Sequence, residues 1–171
     1  MKTRQGMMII AAGCLLSSAA WSASSTDTSF AKKAARGGLA EVAMGRLAES
    51  HAQSADVKAF GQKMVQDHGA ANDKLKVAAE QEHVPLPTRL SPEDQKTLNH
   101  LSSLHGEAFD KAYAQTMVKD HKKDIAEFKQ EAQSGTASQI QTFAQATLPT
   151  LQEHLQMAEK LPEAAATPNG Q

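Results

Sequence analysis

Three histidines and one glutamate of this chain lie where an amphipathic helix would bury an apolar side chain. They are Glu41, His68, His121 and His154, and each lies in its own segment of helical periodicity. A neutral imidazole offers one nitrogen lone pair, and a carboxylate supplies charge that offsets a cation. This donor set suits zinc, iron, manganese or copper. The sequence therefore predicts a first-row transition-metal site formed by these four residues in the core.

An acidic residue directly precedes each of the three histidines. These acids are Asp67, Asp120 and Glu153. Adjacent residues on a helix point about 100° apart, so an acid cannot face the same centre as the histidine that follows it. Their positions predict hydrogen bonds that orient a ligand from behind, or ion pairs at the edge of the buried face.

The methionines that follow residue 22 repeat this pattern. There is one in each predicted long helix, three or four residues from its glutamate or histidine: Met44, Met64, Met117 and Met157. That spacing places each methionine one turn away on the same helix face. A thioether favours Cu(I) if it reaches the ion, and it fills a gap in the core if it does not.

The other four histidines are predicted to lie at helix ends or in connections. They are His51, His83, His100 and His105. Glu80 and His83 have the Glu-x-x-His spacing of di-iron carboxylate sites. Because this pair ends a helix and does not lie in the middle of a bundle, it is interpreted as a solvated helix end.

A second interpretation of the buried polar residues needs no ligand. Buried contacts between histidine and acid can set the register of packed helices, and the protein is then a structural or interaction module of the cell envelope. The alternative is a metal-binding bundle for storage, buffering or redox protection. The sequence has neither a Gly-rich phosphate loop nor a convincing Ser-His-Asp set. An enzyme that uses the buried groups as acid and base stays open as an alternative, although no substrate pocket can be recognised in the sequence.

Four long helices are predicted to position these residues. Apolar periodicity and a content rich in Ala, Leu, Lys, Glu and Gln place them at about 29–50, 56–83, 107–133 and 138–161. Asp56 is the predicted N-cap of the second helix, and Pro149 is expected to kink or divide the fourth. A short extra helix begins at Ser91-Pro92, and Gly106 marks the break after it.

Two short connections and one longer connection make these elements an all-α, up-down four-helix bundle. Counted from the nearest turn at about 1.5 Å per residue, Glu41 and His68 differ in depth by roughly one helical turn. The same holds for His121 and His154, so each pair can share a layer. A block of sequence that ends at His68 also echoes the block that ends at His121, which indicates a duplicated helix pair.

Residues 1–22 have the pattern of a secretory signal peptide. A short basic region precedes an apolar run at 7–16, and small residues at 20 and 22 match a cleavage site after Ser22 or Ala23. The run is shorter than the about 20 residues that a membrane-spanning helix needs. The sequence therefore predicts an exported, periplasmic protein. Alternatively, Ala11-Ala12-Gly13-Cys14 loosely resembles a lipoprotein signal, which would lead to lipidation of Cys14.

The composition excludes several classes of function. The chain has 171 residues, with 18 basic and 19 acidic ones, and no basic run that would bind nucleic acid. Its single cysteine excludes an intramolecular disulfide and a thiolate-cluster metal site. The bundle is predicted to form one domain at 29–161, without a transmembrane segment in the mature chain, and 162–171 form a disordered tail. An envelope protein partner and the oligomeric state are left open.

Motifs spread along the chain resemble one known family. They are Gly37-Gly38-Leu39-Ala40-Glu41-Val42, Met64-Val65-x-Asp67-His68, Phe109-Asp110-x-x-Tyr113, Met117-Val118-x-Asp120-His121 and Leu148-Pro149-x-Leu151-x-Glu153-His154-Leu155. Over about 30–161 the chain resembles the bacterial exported family called domain of unknown function 4142. The resemblance implies a ferritin-like helical bundle and no established activity.

Ferritin-like bundles often hold a di-iron site, but this sequence does not match its ligand pattern. That site takes a glutamate from two helices and Glu-x-x-His from the other two. The chain has Asp-His or Glu-His dipeptides instead, and neither Glu107 nor Glu127 lies at the right depth with a matching partner. Ferroxidase chemistry is therefore not predicted.

Overall fold

A computed structural model describes residues 23–161, and five helices make up most of this range. They are α1 (Ser25–His51), α2 (Ala55–Gln81), α3 (Pro92–Ser102), α4 (Gly106–Ser134) and α5 (Ser138–Ala158). No strand occurs within residues 23–161. The predicted all-α bundle with a short extra helix is confirmed. The predicted signal peptide and tail lie outside the described residues.

The four long helices form two antiparallel hairpins, α1–α2 and α4–α5. Helix α1 also packs on α4, and α2 on α5. The start of α1 lies beside the α4–α5 turn, and the start of α4 lies beside the α1–α2 turn. All neighbouring long helices therefore run antiparallel, and the connection that contains α3 returns the chain to the opposite end. No helix within residues 23–161 has the length and apolarity to cross a bilayer.

Three details of the predicted helices are corrected. Helix α1 begins at residue 25 and not 29, because Ser24 is its N-cap and forms a capping box with Asp27. Asp56 is not the N-cap of α2; that position belongs to Ser54, whose hydroxyl accepts from the Asp56 backbone N–H at 3.2 Å. Pro149 does not divide α5, which continues through it to residue 158. The packing of α5 on α2 and α4 outweighs the hydrogen bond that proline removes.

A layer of polar side chains crosses the core between two apolar clusters. The cluster at one end of the bundle includes Leu75 and Phe128, and the cluster at the other end includes Phe60 and Leu101. Between them lie four buried polar residues, Glu41, His68, His121 and His154. The polar layer, as these four residues are called below, has one member on each long helix.

The α1–α2 hairpin is closed by two glycines that let the backbones touch. A Cβ on Gly45 would lie 2.6 Å from the carbonyl oxygen of Gly61, and a Cβ on Gly61 would lie 2.6 Å from the Cβ of Ala48. Neither position has room for a side chain. This close approach brings the α1 and α2 members of the polar layer to the same depth.

Two aspartates hold the hairpins together from opposite ends. Asp27 of α1 accepts hydrogen bonds from the Thr136 backbone N–H and hydroxyl, at 3.1 and 2.6 Å, and from the Ala137 N–H at 3.1 Å. Asp110 of α4 accepts from the backbone N–H groups of residues 53 and 54, at 3.1 and 2.8 Å. Each hairpin thus caps the turn of the other.

We expect Asp27→Asn to lower the free energy of unfolding by about 2–3 kcal/mol, because the amide lacks the charge and one acceptor oxygen. Burial disfavours the charged carboxylate, but hydrogen bonds from Thr136 and Ser24 outweigh it and hold the pKa of Asp27 well below its ordinary 3.8. A lowered pKa means that this stabilisation is complete above pH 3.8 and is lost as the pH falls further.

Urea unfolding at pH 7 and pH 3 measures this effect. The difference in the free energy of unfolding between the wild type and Asp27→Asn should be smaller at pH 3. Asp56→Asn, at an exposed position in the first turn of α2, is the matched control. Equal losses in the two variants would contradict the capping role.

Candidate metal centre

The three predicted histidine ligands meet in the middle of the bundle, one each from α2, α4 and α5. The ring centroids are 5.6 Å apart for His68 and His121, and 5.4 Å for each of the other two pairs. One ring nitrogen from each histidine lies within 4.8 Å of the other two, and no side chain of the three is more than 7% exposed. An ion with metal–nitrogen bonds of about 2.0–2.1 Å would require these nitrogens to move closer together when it binds.

Hydrogen bonds hold two of these rings and leave a lone pair free on each. His121 Nδ1–H donates to the Met117 carbonyl oxygen at 2.9 Å, and His154 Nε2–H donates to Asp67 Oδ2 at 2.9 Å. The other nitrogens, His121 Nε2 and His154 Nδ1, have no partner within residues 23–161, and neither does His68 Nε2. A metal-binding histidine needs this arrangement, with one N–H anchored and the other nitrogen unprotonated.

Burial keeps the three rings neutral. It lowers the pKa of His68 to about 3, with a further contribution from His121 and His154. It also lowers the pKa of His121 to about 4, although the bond to Met117 opposes this shift. At His154 burial outweighs the bond to Asp67, and the pKa is below its ordinary value. The lone pairs are therefore available near pH 7 without loss of a proton.

Glu41, the fourth predicted ligand, lies beside the three rings and outside the group that their nitrogens form. Its Oε1 is 3.7 Å from His121 Nδ1, the nitrogen that donates to Met117. Its Oε2 has no hydrogen-bond partner within residues 23–161, and the residue is only 1% exposed. Burial, followed by the charges of Asp124 and Asp120, raises the pKa of Glu41 well above 4.5 and favours its neutral form. A cation bound at the rings would favour the carboxylate, which would then offset part of the charge of that cation from behind His121.

The three acids that precede the histidines take three different positions. Asp67 bonds His154 of the facing helix and forms an ion pair with Lys63 at 3.0 Å. Glu153 is exposed and lies 3.7 Å from Lys63. Asp120 is partly buried beside a groove between α3 and α4. Among these acids, a hydrogen bond to a histidine thus occurs at Asp67, and ion pairs with a lysine occur at Asp67 and Glu153.

Buried polar atoms without a partner concentrate in and beside the polar layer. Within residues 23–161 there are six such side-chain atoms, and five of them are Glu41 Oε2, His68 Nε2, Tyr113 Oη, His121 Nε2 and His154 Nδ1. Tyr113 lies beside the layer, because its ring and the rings of His121 and His154 all lie near Phe60, with centroids 6.2, 6.5 and 6.4 Å from the centroid of Phe60. Each unpartnered atom costs about 1–3 kcal/mol, so a ligand that contacts these atoms would stabilise the core.

Lys63 and Tyr113 are the parts of the site that the sequence analysis missed. The i,i+4 spacing from Lys63 to Asp67 is a signal that could have found the first. In the sequence, Tyr113 is recognisable only as an inward residue of α4 and as part of a family motif, because its position near His154 depends on how the helices pack.

The remaining histidines lie away from the polar layer, at helix ends and in connections as predicted. His51 stacks on His105 at one end of the bundle, with ring centroids 4.2 Å apart. His83 and His100 are exposed. Glu80 lies in the last turn of α2, and His83 lies just after the end of this helix.

Comparison with known proteins places this bundle in a family. Residues 13–161 match the family described as Domain of unknown function (DUF4142). The chain belongs to this family. The resemblance seen in its motifs is therefore confirmed, and a comparison with curated proteins finds no match.

Two solved structures share the fold of this DUF4142 protein. A DUF305 fragment from Deinococcus radiodurans matches with a TM-score of 0.72 and 12% identity, over 83% of this chain and 98% of its own. A DUF305 protein from Streptomyces coelicolor matches with a TM-score of 0.70 and 13% identity, over 85% of this chain and 96% of its own. At such low identity the likeness establishes the helical-bundle fold alone.

Proposed function

We propose that this protein is an exported metal-binding bundle that holds one first-row transition-metal ion in its core. His68, His121 and His154 are the ligands, and Glu41 offsets the charge. The proposal rests on three buried histidines from three helices, which bring one ring nitrogen each within 4.8 Å of one another and which each have a ring nitrogen without a partner within residues 23–161. A core that binds nothing would leave these nitrogens without partners, at a cost of about 1–3 kcal/mol each.

The residues around the rings support this role. Asp67 accepts a hydrogen bond from His154 and is itself held by Lys63, as in the carboxylate–histidine pairs that orient metal ligands. Zinc, iron, manganese and copper all accept imidazole ligands. Rings this deeply buried favour holding an ion, for storage, buffering or redox protection, over turnover of a substrate. Export is supported by the signal-peptide pattern of residues 1–22.

Metal content measured by elemental mass spectrometry tests the proposal. The purified protein is incubated separately with Zn(II), Fe(II), Mn(II) and copper and then desalted. We expect about one equivalent of a bound metal. His121→Ala and His154→Ala each remove a ligand and should lose it. His100→Ala replaces an exposed histidine and should keep it.

Two other outcomes would contradict the proposal. Equal metal content in the wild type and in both ligand variants would place the ion elsewhere in the protein. A wild type that binds none of the four metals would leave the structural interpretation, in which the polar layer sets helix register in an envelope module.

A further inference from the structure

All four methionines within residues 23–161 lie on one side of the polar layer. They belong to, or pack against, the apolar cluster that contains Phe60: Met44, Met64, Met117 and Met157. Met64 and Met117 have no exposed surface at all. The opposite side of the layer is bordered by the cluster that contains Leu75, whose members are aliphatic and aromatic. Thioether sulfur is thus confined to one side of the three rings.

Two of these methionines adjoin histidines of the proposed site. Met64 precedes His68 by one turn, and Met117 precedes His121 by one turn. Helical side chains lean toward the N-terminus of their helix, so both rings lean toward these methionines. The 2.9 Å bond from His121 Nδ1 to the Met117 carbonyl oxygen shows this lean directly.

The nitrogen group carries no negative charge of its own. Glu41 and Asp67 each lie beside a histidine ring and are not members of the group of ligand atoms. The cost of burying an ion rises with the square of its charge, so a monocation costs about a quarter as much as a dication of equal size. Of these two acids, Asp67 is already paired with Lys63, so the single carboxylate of Glu41 is left to offset the ion, and it balances a monocation better than a dication.

We propose that the ion held in this core is Cu(I), bound by His68, His121 and His154, with one thioether, from Met64 or Met117, as the fourth donor. Thioether and imidazole donors together select Cu(I) among the first-row metals. The inference rests on the proposed function and names its ligand. It concerns binding of Cu(I) as such and includes no redox step.

The test measures the affinity of the full protein for Cu(I) and for Zn(II) in the absence of oxygen. Each affinity is obtained by competition with a chromogenic chelator of that ion. X-ray absorption at the copper edge identifies the donor atoms. We expect nitrogen and sulfur neighbours in the wild type. In Met64→Leu/Met117→Leu the sulfur signal should vanish and the Cu(I) affinity should fall roughly tenfold to a hundredfold, the scale for loss of one supporting group. The Zn(II) affinity should not change.

The leucine substitutions conserve volume, and a thermal melt checks that the double variant is folded. Met157→Leu, on α5 at a partly buried position, is the matched control and should bind Cu(I) like the wild type. An unchanged Cu(I) affinity in the double variant, a nitrogen-only copper site, or an equal loss in the control overturns this inference and leaves the metal site standing. A wild type that does not bind Cu(I) overturns this inference, and one that also binds none of Zn(II), Fe(II) and Mn(II) overturns the proposed function itself.

Discussion

His68→Leu/His121→Leu is expected to melt roughly 5–10 °C above the metal-free wild type. Each leucine removes a buried ring nitrogen that has no partner within residues 23–161, and each such nitrogen costs about 1–3 kcal/mol. The hydrogen bond that the substitutions remove runs from His121 Nδ1 to the Met117 carbonyl oxygen, which also accepts within α4. Well-packed apolar residues commonly replace buried polar groups with a gain in stability.

The same variant should no longer respond to metal. Binding to the folded state stabilises a protein by about 4 kcal/mol when the free ion is at a thousand times its Kd. Loading should therefore raise the melting temperature of the wild type, and a chelator should reverse the change. Thermal melts followed by circular dichroism, with and without metal, measure both effects. His100→Ala, at an exposed histidine, should respond like the wild type.

Two results would oppose this expectation. A double leucine variant that melts below the metal-free wild type would show that the histidines stabilise the bundle by themselves, without a bound ion. Equal stabilisation of the variant and the wild type by metal would show that the ion binds outside the polar layer.

Gly61→Leu is expected to lower the free energy of unfolding by about 4 kcal/mol or more, a loss typical of severe overpacking. A Cβ at this position would lie 2.6 Å from the Cβ of Ala48 and 2.8 Å from the Gly45 carbonyl oxygen. Neither a backbone atom nor an alanine methyl group can rotate away. Helices α1 and α2 would have to separate, which would move His68 away from the other two rings and weaken metal binding as well.

Gly69→Ala is the matched control, because it changes a glycine of the same helix whose Cβ would meet nothing within 4 Å. It should raise the free energy of unfolding by about 1 kcal/mol, since alanine has the higher helix propensity. Urea unfolding followed at 222 nm compares both variants with the wild type. Similar changes in the two variants would mean that the α1–α2 contact does not limit stability.

Much of the fold was predictable because the patterns that specify it are local. Apolar periodicity marks each long helix, and Ser91-Pro92 marks the start of α3. The predictions that were wrong concern positions where neighbouring groups compete. Ser54, and not Asp56, is the N-cap of α2, and the packing of α5 allows this helix to continue through Pro149. The depth of the polar layer within each hairpin was also predictable, because short turns tie the depth of one helix to that of the next.

The relation between the two hairpins was decided by the tertiary structure alone. The connection between α2 and α4 is too long to set their relative depth, so only the packing of α1 on α4 and of α2 on α5 brings the three rings together. Packing also places Glu41 behind His121, where its Oε1 lies 3.7 Å from Nδ1.

The partner of Asp67 shows the physical reason most clearly. Its neighbour in sequence is His68, but it bonds His154, which is 87 positions away along the chain. Side chains that are adjacent on a helix diverge by about 100°, whereas side chains on facing helices converge. The sequence by itself determined which residues turn inward and at what depth. Only the association of the helices decided which inward atoms meet.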